Sequence, residues 1–386
     1  MAQDDRALIA ERDNAFLAEA AVAKEFSETA KSVRPTWILR QLLNRERPNT
    51  SILRDIAGDF QTFVKNRNST YDMYVQMRTG FSVTRGRSNA LIGGLLRKHV
   101  PSRSYDLSQT IFQVPDADSL VKDAVAALQK NAYWKAPFLA PPDVIERLKA
   151  KLSAGLEKQY GDGFAAAMRA DEGAPPQLKS KSAWLMTFEE MYLLASDPIF
   201  TSIAHSYLGV PPIFDVPVAF LNSTVKLASR ADYSKIAQLY HHDMDRLSFV
   251  KLFIYLTDVD MESGPHTLIP ATHRKRPGGF WEARRYSDKE LDKAGLLSRE
   301  VKITGPAGTV FLVDTSTLHK GSHPISRPRL VAQMEYSNCL FGLRAAAEEH
   351  KVKLSASSKD GRILQSAELV RKYADKAGVR FMQRYI

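Results

Sequence analysis

Histidine and carboxylate side chains stand close together in the C-terminal half of the sequence, where apolar runs end. His241 and Asp243 are two residues apart, and side chains at that spacing in a strand share a face. An imidazole and a carboxylate on one face can bind the same metal ion, although this pair also occurs by chance in exposed turns. His242 would face the other way, which makes it the weaker ligand candidate.

A second group of chemically capable residues follows the strand-like run GTVFLVD. His319 and His323 lie in the loop after it, and Arg329 begins the next apolar run, ten residues beyond His319. If the two runs pair as strands, Arg329 returns to the same end of the fold as His319. Two histidines and one carboxylate on one face of an octahedron leave three open positions, as in the facial triad of non-haem Fe(II) oxygenases. Two open positions suit a bidentate oxoacid, the third suits dioxygen, and an arginine offers a planar fork to a carboxylate.

The hydrophobic pattern that must position these residues changes along the chain. Residues 1–115 show mostly helical spacing and include an Arg-rich segment, and we interpret them as a helical extension of unknown role. Helical patterns continue to Gly209, and short runs rich in β-branched and aromatic residues then occupy about 212–345. Regular helices do not alternate with these runs. The pattern favours a jelly-roll barrel with flanking helices, within a domain of residues 116–386.

Two segments depart from this strand-rich pattern. Residues 274–299 form a polar, basic insertion, which we interpret as a lid or a surface excursion. The tail after Gly342 returns to helical, basic spacing.

The composition is that of an ordinary globular chain of 386 residues, 44% hydrophobic and 25% charged. Its one cysteine allows neither an internal disulfide nor a cysteine metal cluster. Neither a membrane span of ~20 apolar residues nor a secretory signal pattern is present, so we expect a cytoplasmic protein.

The formal charge of +11 favours anionic partners only weakly. Nucleic acid is disfavoured without a recognised motif, a small-molecule substrate is expected, and the oligomeric state is undetermined.

Several of these segments together resemble the phytanoyl-CoA dioxygenase family of Fe(II)/2-oxoglutarate oxygenases. The resemblance rests on His241-x-Asp243, SFVKLFIYLTDVDMESGPHTLIPATHR, GTVFLVD, and His319 with Arg329, and it covers about residues 116–345. It implies a double-stranded β-helix, Fe(II) as cofactor, and 2-oxoglutarate and O2 as cosubstrates. His241, Asp243 and His319 would be the iron ligands, and Arg329 would bind the distal carboxylate of 2-oxoglutarate.

Other residues are weaker candidates for the cosubstrate site. Arg327, two residues before Arg329, is a rival anchor if both lie in one strand. Asn222, Gln238 and Lys251 could contact 2-oxoglutarate or substrate, but ordinary turn or strand hydrogen bonds explain the first two better. For Lys251, an outward-facing lysine is the competing interpretation.

The sequence departs from the family pattern at two places near the expected site. Where the family usually has Pro-Gly-Ser-His, this chain has alanine and threonine at Ala271 and Thr272. Gly321 stands where a small hydroxylated residue is common, and Ser322 follows it. His266 and His323, which also lie near the site, are better explained as supporting histidines than as extra ligands.

The resemblance implies hydroxylation of an unactivated C–H bond in a small organic substrate, with release of succinate and CO2. The surplus of basic residues weakly favours an anionic substrate. Asp243 favours hydroxylation because related halogenases have a small residue in that place, while desaturation and cyclisation stay open. Two other classes compete with this hypothesis. One is a cupin-type metal barrel that does not use 2-oxoglutarate, and the other is a non-catalytic basic module that binds through the Arg-rich segment. The sequence does not identify the substrate.

Overall fold

The fold is described from a computed structural model. It describes residues 67, 78, 80–82, 84–169, 171, 173–180, 182–185, 187–339 and 380–381. The helices expected in residues 1–66, and nearly all of the helical tail expected after Gly342, lie outside the described residues.

Helices occupy most of the described chain before the barrel, as the periodicity predicts. The α-helices are α1 (Arg87–His99), α2 (Ala117–Asn131), α3 (Pro142–Tyr160), α4 (Asp162–Arg169), α5 (Ser182–Leu185), α6 (Glu189–Ala195), α7 (Pro198–Leu208), α8 (Arg230–Lys235) and α9 (Asp288–Lys293). Their ends follow from ordinary capping. The Asp116 carboxylate accepts from the Ser119 amide at the start of α2, and Gly209 ends α7 at a φ of 74°.

The strands are short and concentrated in the predicted region. They are β1 (Tyr133–Leu139), β2 (Gln177–Lys179), β3 (Ile213–Asn222), β4 (Phe249–Tyr255), β5 (His266–Leu268), β6 (Val301–Ile303), β7 (Thr309–Val313), β8 (His319–Gly321), β9 (Arg329–Ser337) and β10 (Arg380–Phe381). The major sheet has the order β1-β7-β4-β9-β3-β10, with β2 also paired to β3, and the minor sheet has the order β6-β5-β8. All pairs are antiparallel except β10 with β3. This mostly antiparallel, two-sheet barrel with flanking helices confirms the predicted fold class.

Strict alternation along the central strands separates two chemically different faces. On β4, Val250, Leu252 and Ile254 belong to the large core shared with the helices, whereas Phe253 and Tyr255 belong to a smaller core between the sheets. Alternating residues point to opposite faces, so Lys251 has the same orientation as the inner residues. The inner face therefore receives charged as well as aromatic side chains.

The described part of the N-terminal region packs against this domain. Leu96 of α1 is fully buried in the helix-side core, and Phe112 packs its ring 5.1 Å from that of Phe200. Thr110 and the Ile111 amide both donate hydrogen bonds to Asp197, the residue that caps α7. Residues that the sequence assigns to the end of the extension are thus part of the helical layer.

The basic insertion is also well packed. Phe280, Tyr286, Leu291 and Leu296 from it are buried with Tyr240 in one apolar cluster. Among the helices that the structure describes, none has the length and apolar character that crossing a membrane requires.

Candidate metal centre

Three of the predicted side chains converge at the end of the minor sheet. His241 forms an isolated bridge with His319, the first residue of β8, and the Asp243 amide donates to the Thr315 carbonyl. Nε2 of His241 lies 3.6 Å from Oδ1 of Asp243, and Nε2 of His319 lies 3.7 Å from Oδ2. One ligand atom from each residue lies within 4.8 Å of the other two. His242, between the two, packs its ring 6.1 Å from that of Phe81 instead.

The other ring nitrogen of each histidine is held by the backbone. Nδ1 of His241 lies 2.8 Å from the Leu239 carbonyl, and Nδ1 of His319 lies 3.0 Å from the Thr317 carbonyl. Because a carbonyl only accepts, Nδ1 must carry the hydrogen, which leaves a lone pair on Nε2. Histidines that bind metals are oriented in this way. Both lone pairs are therefore available on the nitrogens that face Asp243.

The surroundings favour the forms of these residues that bind metal. Burial lowers the pKa of His241 well below its usual range, and His319 and Arg285 add to the effect. Burial also lowers the pKa of His319, against the charge of Asp243. Burial alone would raise the pKa of Asp243, but Lys251, His319 and His241 hold it well below its usual range. Neutral imidazoles and an ionised carboxylate are the forms that coordinate a divalent cation.

Lys251 points inward and lies beside Asp243. Its Nζ is 2.8 Å from Oδ2 of Asp243, 2.8 Å from Oδ2 of Asp245 and 3.7 Å from Oε2 of Glu335. Lys251 and Glu335 face each other across β4 and β9. Burial would lower the pKa of Lys251, but these three carboxylates raise it well above its usual range. The contacts of this lysine are with carboxylates, and its predicted role in binding 2-oxoglutarate stays a prediction.

Arg329 is a buried arginine on the inner face, opposite Asn222 in the register of β9 and β3. It is 5% exposed, and within the described residues its guanidinium has no hydrogen-bond or ion-pair partner. Burial lowers its pKa, with Tyr255 opposing. A Cβ built on Gly321 would lie 2.9 Å from Nη2 of Arg329, so glycine leaves the room that this side chain occupies. Buried guanidinium groups are normally paired, so a bound anion would balance the charge of this one.

Arg327, the alternative anchor predicted from the sequence, lies outside the strand that carries Arg329. Arg327 lies in the turn before β9, with its side chain 59% exposed, and forms a salt bridge with Asp260. The expectation that Arg327 could share the strand and facing of Arg329 is therefore wrong, because the strand begins only at Arg329.

The two predicted amide side chains are both buried. Asn222 accepts a hydrogen bond of 2.8 Å from Gln177. Gln238 has its Oε1 3.1 Å from Nδ1 of His323, while its Nε2 has no partner among the described residues. Asn222 shares the inner face with Arg329 through the strand register, whereas Gln238 lies beside the end of β8, where the Ala237 carbonyl accepts from the Gly321 amide. Their assignment to the cosubstrate stays a prediction.

His266 contacts the site without joining the triad. Its ring is stacked on that of His319, with centroids 5.5 Å apart, and lies 4.7 Å from that of Phe253. Its Nε2 is buried without a partner in the described part of the chain. Burial lowers the pKa of His266 well below its usual range, with the charges of His319 and Arg329 adding to this. The ring is thus a neutral group that packs against His319 and Phe253.

The sequence interpretation missed two charged residues near the triad, Glu335 and Arg285. Glu335 could have been found, because it is six residues from Arg329 on the same strand and so shares its face. Arg285 could not, because only a tertiary contact brings the insertion to the triad. Tyr286 forms an isolated antiparallel bridge with Tyr240, the neighbour of His241.

The family model for phytanoyl-CoA dioxygenase (PhyH) matches residues 128–327, just over half of the chain. The chain belongs to this family, and it is an Fe(II)- and 2-oxoglutarate-dependent oxygenase. The iron and 2-oxoglutarate expected from the sequence are therefore its cofactor and cosubstrate.

Three solved structures with similarity to this chain can be described. AviO1 from Streptomyces viridochromogenes Tue57 shares 16% identity over 59% of this chain and 97% of that one, with a TM-score of 0.41. SnoK, a non-heme alpha-ketoglutarate-dependent carbocyclase from nogalamycin biosynthesis, shares 19% identity over 58% and 87%, with a TM-score of 0.43. EctD from S. alaskensis with bound Fe shares 17% identity over 61% and 83%, with a TM-score of 0.40. No curated protein matches the chain.

Proposed function

We propose that His241, Asp243 and His319 hold Fe(II), that Arg329 binds the distal carboxylate of 2-oxoglutarate, and that the enzyme hydroxylates a C–H bond of a small organic substrate. The observation that carries this proposal is the pair of histidines whose Nδ1 atoms face backbone carbonyls while their Nε2 atoms face one carboxylate. A His, His, carboxylate set is the ligand set of non-haem Fe(II) oxygenases.

The residues present fit both groups. The triad supplies two neutral nitrogens and one ionised oxygen, and the buried guanidinium of Arg329 lacks the anion that would balance it. When bound, iron and 2-oxoglutarate supply oxidative decarboxylation of the oxoacid to succinate and CO2, coupled to insertion of one oxygen atom of O2 into a C–H bond.

The protein's own residues have three tasks in this proposal. The Leu239 and Thr317 carbonyls fix the ring orientation of the two histidines, which keeps both Nε2 lone pairs aimed at one point. Lys251 holds the Asp243 carboxylate ionised and limits its rotation. The inner face around Arg329, where Tyr255 lies near the guanidinium, keeps water out, which strengthens the pairing of the guanidinium with a carboxylate.

The domain division belongs to the same proposal. We assign residues 116–386 to the oxygenase domain and residues 1–115 to an extension, with the barrel in about 212–345. The packing of Leu96 and Phe112 on the helical layer supports treating the end of the extension as a part of the folded enzyme.

The test is an anaerobic titration of the protein with Fe(II) and then 2-oxoglutarate, followed by the absorption that arises from charge transfer between the metal and the bound oxoacid. We expect the band in wild type, its loss in His241→Ala, and a weakening of 2-oxoglutarate binding by about ten-fold or more in Arg329→Ala.

The chain supplies a matched control for each variant. His242→Ala removes the adjacent histidine, and Arg327→Ala removes the arginine two residues before the anchor, so both should behave as wild type. Iron binding without any effect of 2-oxoglutarate would instead favour a cupin-type site, and equal loss in a variant and its control would contradict the residue assignments.

A further inference from the structure

Arg285, carried by the basic insertion, is a second arginine that faces the triad. Tyr240 and Tyr286 form an antiparallel bridge, so the next pair in register is His241 with Arg285. On its other side His241 is bridged to His319. Residues directly opposite each other in an antiparallel pair have their side chains on the same face. The register therefore places Arg285 on the face from which His241 and His319 project.

Electrostatic effects agree with this placement. The charge of Asp243 opposes the effect of burial on the pKa of Arg285. Burial lowers the pKa of both histidines of the triad, and Arg285 contributes to the lowering in each. The guanidinium therefore lies close enough to all three ligands to act on them electrostatically, and within the described residues it forms no hydrogen bond or ion pair with them.

Arg285 is also without a partner. Within the described residues, the structure gives its guanidinium no hydrogen bond and no ion pair, while its neighbour Arg284 pairs with Glu290 at 2.8 Å. Burial lowers the pKa of Arg285, so the group is partly removed from water without a hydrogen-bond acceptor among the described residues. A desolvated cation without an acceptor costs free energy unless something supplies the anion.

Two other buried cations in this region have partners among the described residues. Lys251 faces three carboxylates. Arg276 lies over the ring of Trp281 at 4.2 Å and donates to the Ser316 carbonyl at 3.1 Å. On the proposed function, the charges of Fe(II), 2-oxoglutarate, Asp243 and Arg329 balance one another. The positive charge of Arg285, near the proposed iron site, then has no counter-charge in this balance.

We propose that Arg285 binds an oxyanion of the substrate, a carboxylate or a phosphate, and so makes anionic small molecules the substrate class of this enzyme. This inference rests on the proposed function. Both anions present two oxygens to the two parallel N–H groups of a guanidinium, which favours arginine over lysine at such a site. Bound there, the anion would fix which C–H bond of the substrate lies nearest the metal.

The test uses full-length protein loaded with Co(II) and saturated with 2-oxoglutarate, with inorganic phosphate and acetate as probes. Paramagnetic cobalt enhances the relaxation of the phosphate ³¹P and the acetate methyl ¹H only when the anion binds close to the metal. We expect enhancement in wild type, a loss of about ten-fold in anion affinity in Arg285→Gln, and partial retention in Arg285→Lys. Arg284→Gln is the matched control on the adjacent position and should equal wild type.

The outcomes are distinguishable. Enhancement of both probes supports an oxyanion site, and enhancement of one alone narrows the substrate group to phosphoryl or carboxylate. Equal enhancement in wild type and Arg285→Gln, or none in wild type that has bound Co(II) and 2-oxoglutarate, overturns the proposal. The cobalt absorption reports separately on the proposed function, because its failure to appear, or to respond to 2-oxoglutarate, would remove the metal site on which the inference rests.

Discussion

Two carboxylates in different regions of the molecule have opposite pKa shifts, although both are shielded from water. Asp243 lies in the barrel, where Lys251 and the two histidines outweigh burial and hold its pKa well below the usual range. Asp197 lies in the helical layer and is 2% exposed. Burial raises the pKa of Asp197 to about 6, against hydrogen bonds from the Ile111 and Ile199 amides and from Thr110.

The difference comes from the kind of partner. Neutral N–H and O–H groups partly solvate the Asp197 carboxylate, but they carry no net charge to offset its desolvation. Lys251 supplies a full charge 2.8 Å from Asp243. The helical layer can therefore tolerate a protonated carboxyl as a structural cap, whereas the barrel maintains an ionised carboxylate, which is the form that a metal requires.

The largest effect should come from removing the ammonium group of Lys251. Lys251→Met leaves Asp243 and Glu335 without their shared ammonium group, and we expect a loss of about 3–5 kcal/mol in the free energy of unfolding. Chemical denaturation measures it. Fe(II) affinity should fall as well, because the pKa of Asp243 rises. A Lys251→Met protein as stable as wild type would show that the carboxylates do not depend on this lysine.

The adjacent residue tests the other face of the same strand. Leu252→Ala removes a fully buried side chain from the helix-side core, and we expect a loss of about 3 kcal/mol in the free energy of unfolding. Because Leu252 faces away from the triad, Fe(II) affinity of the folded protein should stay at the wild-type value. A metal affinity that falls in parallel with stability would show that the two faces are not independent.

Asp197 should make stability depend on pH in the sense opposite to most carboxylates. Its folded-state pKa of about 6 exceeds the ordinary value of 3.8, so the native state keeps a proton that the unfolded state has lost. The contribution to the free energy of unfolding therefore falls by about 2 kcal/mol as the pH rises from about 4 to 6. Asp197→Asn removes this contribution, and the difference between the wild-type and variant stability curves measures it. A difference independent of pH would contradict the raised pKa.

The smallest effect concerns Ala271, where the loop after β5 of the barrel meets the end of helix α2. Ala271 has a φ of 64°, a left-handed conformation that favours glycine, and its amide donates to the Asn131 carbonyl at the end of α2. This explains physically why a glycine suits the motif at this position. Ala271→Gly should raise the free energy of unfolding by about 1 kcal/mol, as thermal denaturation would measure. An unchanged or lower stability would indicate that the junction relaxes around the alanine.

The sequence alone predicted the fold class, the family and the enzyme class correctly, because they depend on local patterns. Alternation along β4 puts Lys251 on the face opposite Leu252, and the structure then shows that this face is the inner one. The spacing of His241 and Asp243 likewise places two ligand candidates on one face. The roles of the individual site residues stay predictions.

Only the tertiary structure decided which residues meet across the fold. Arg327 and Arg329 are alike in sequence, but the start of β9 separates an exposed ion pair from a buried guanidinium that has no partner among the described residues. The bridge between Tyr240 and Tyr286 brings Arg285 to the triad from an insertion whose own pattern shows only polar and basic residues. Local periodicity determines the direction in which a side chain points, whereas strand register and long-range packing, which no short segment specifies, determine what it faces.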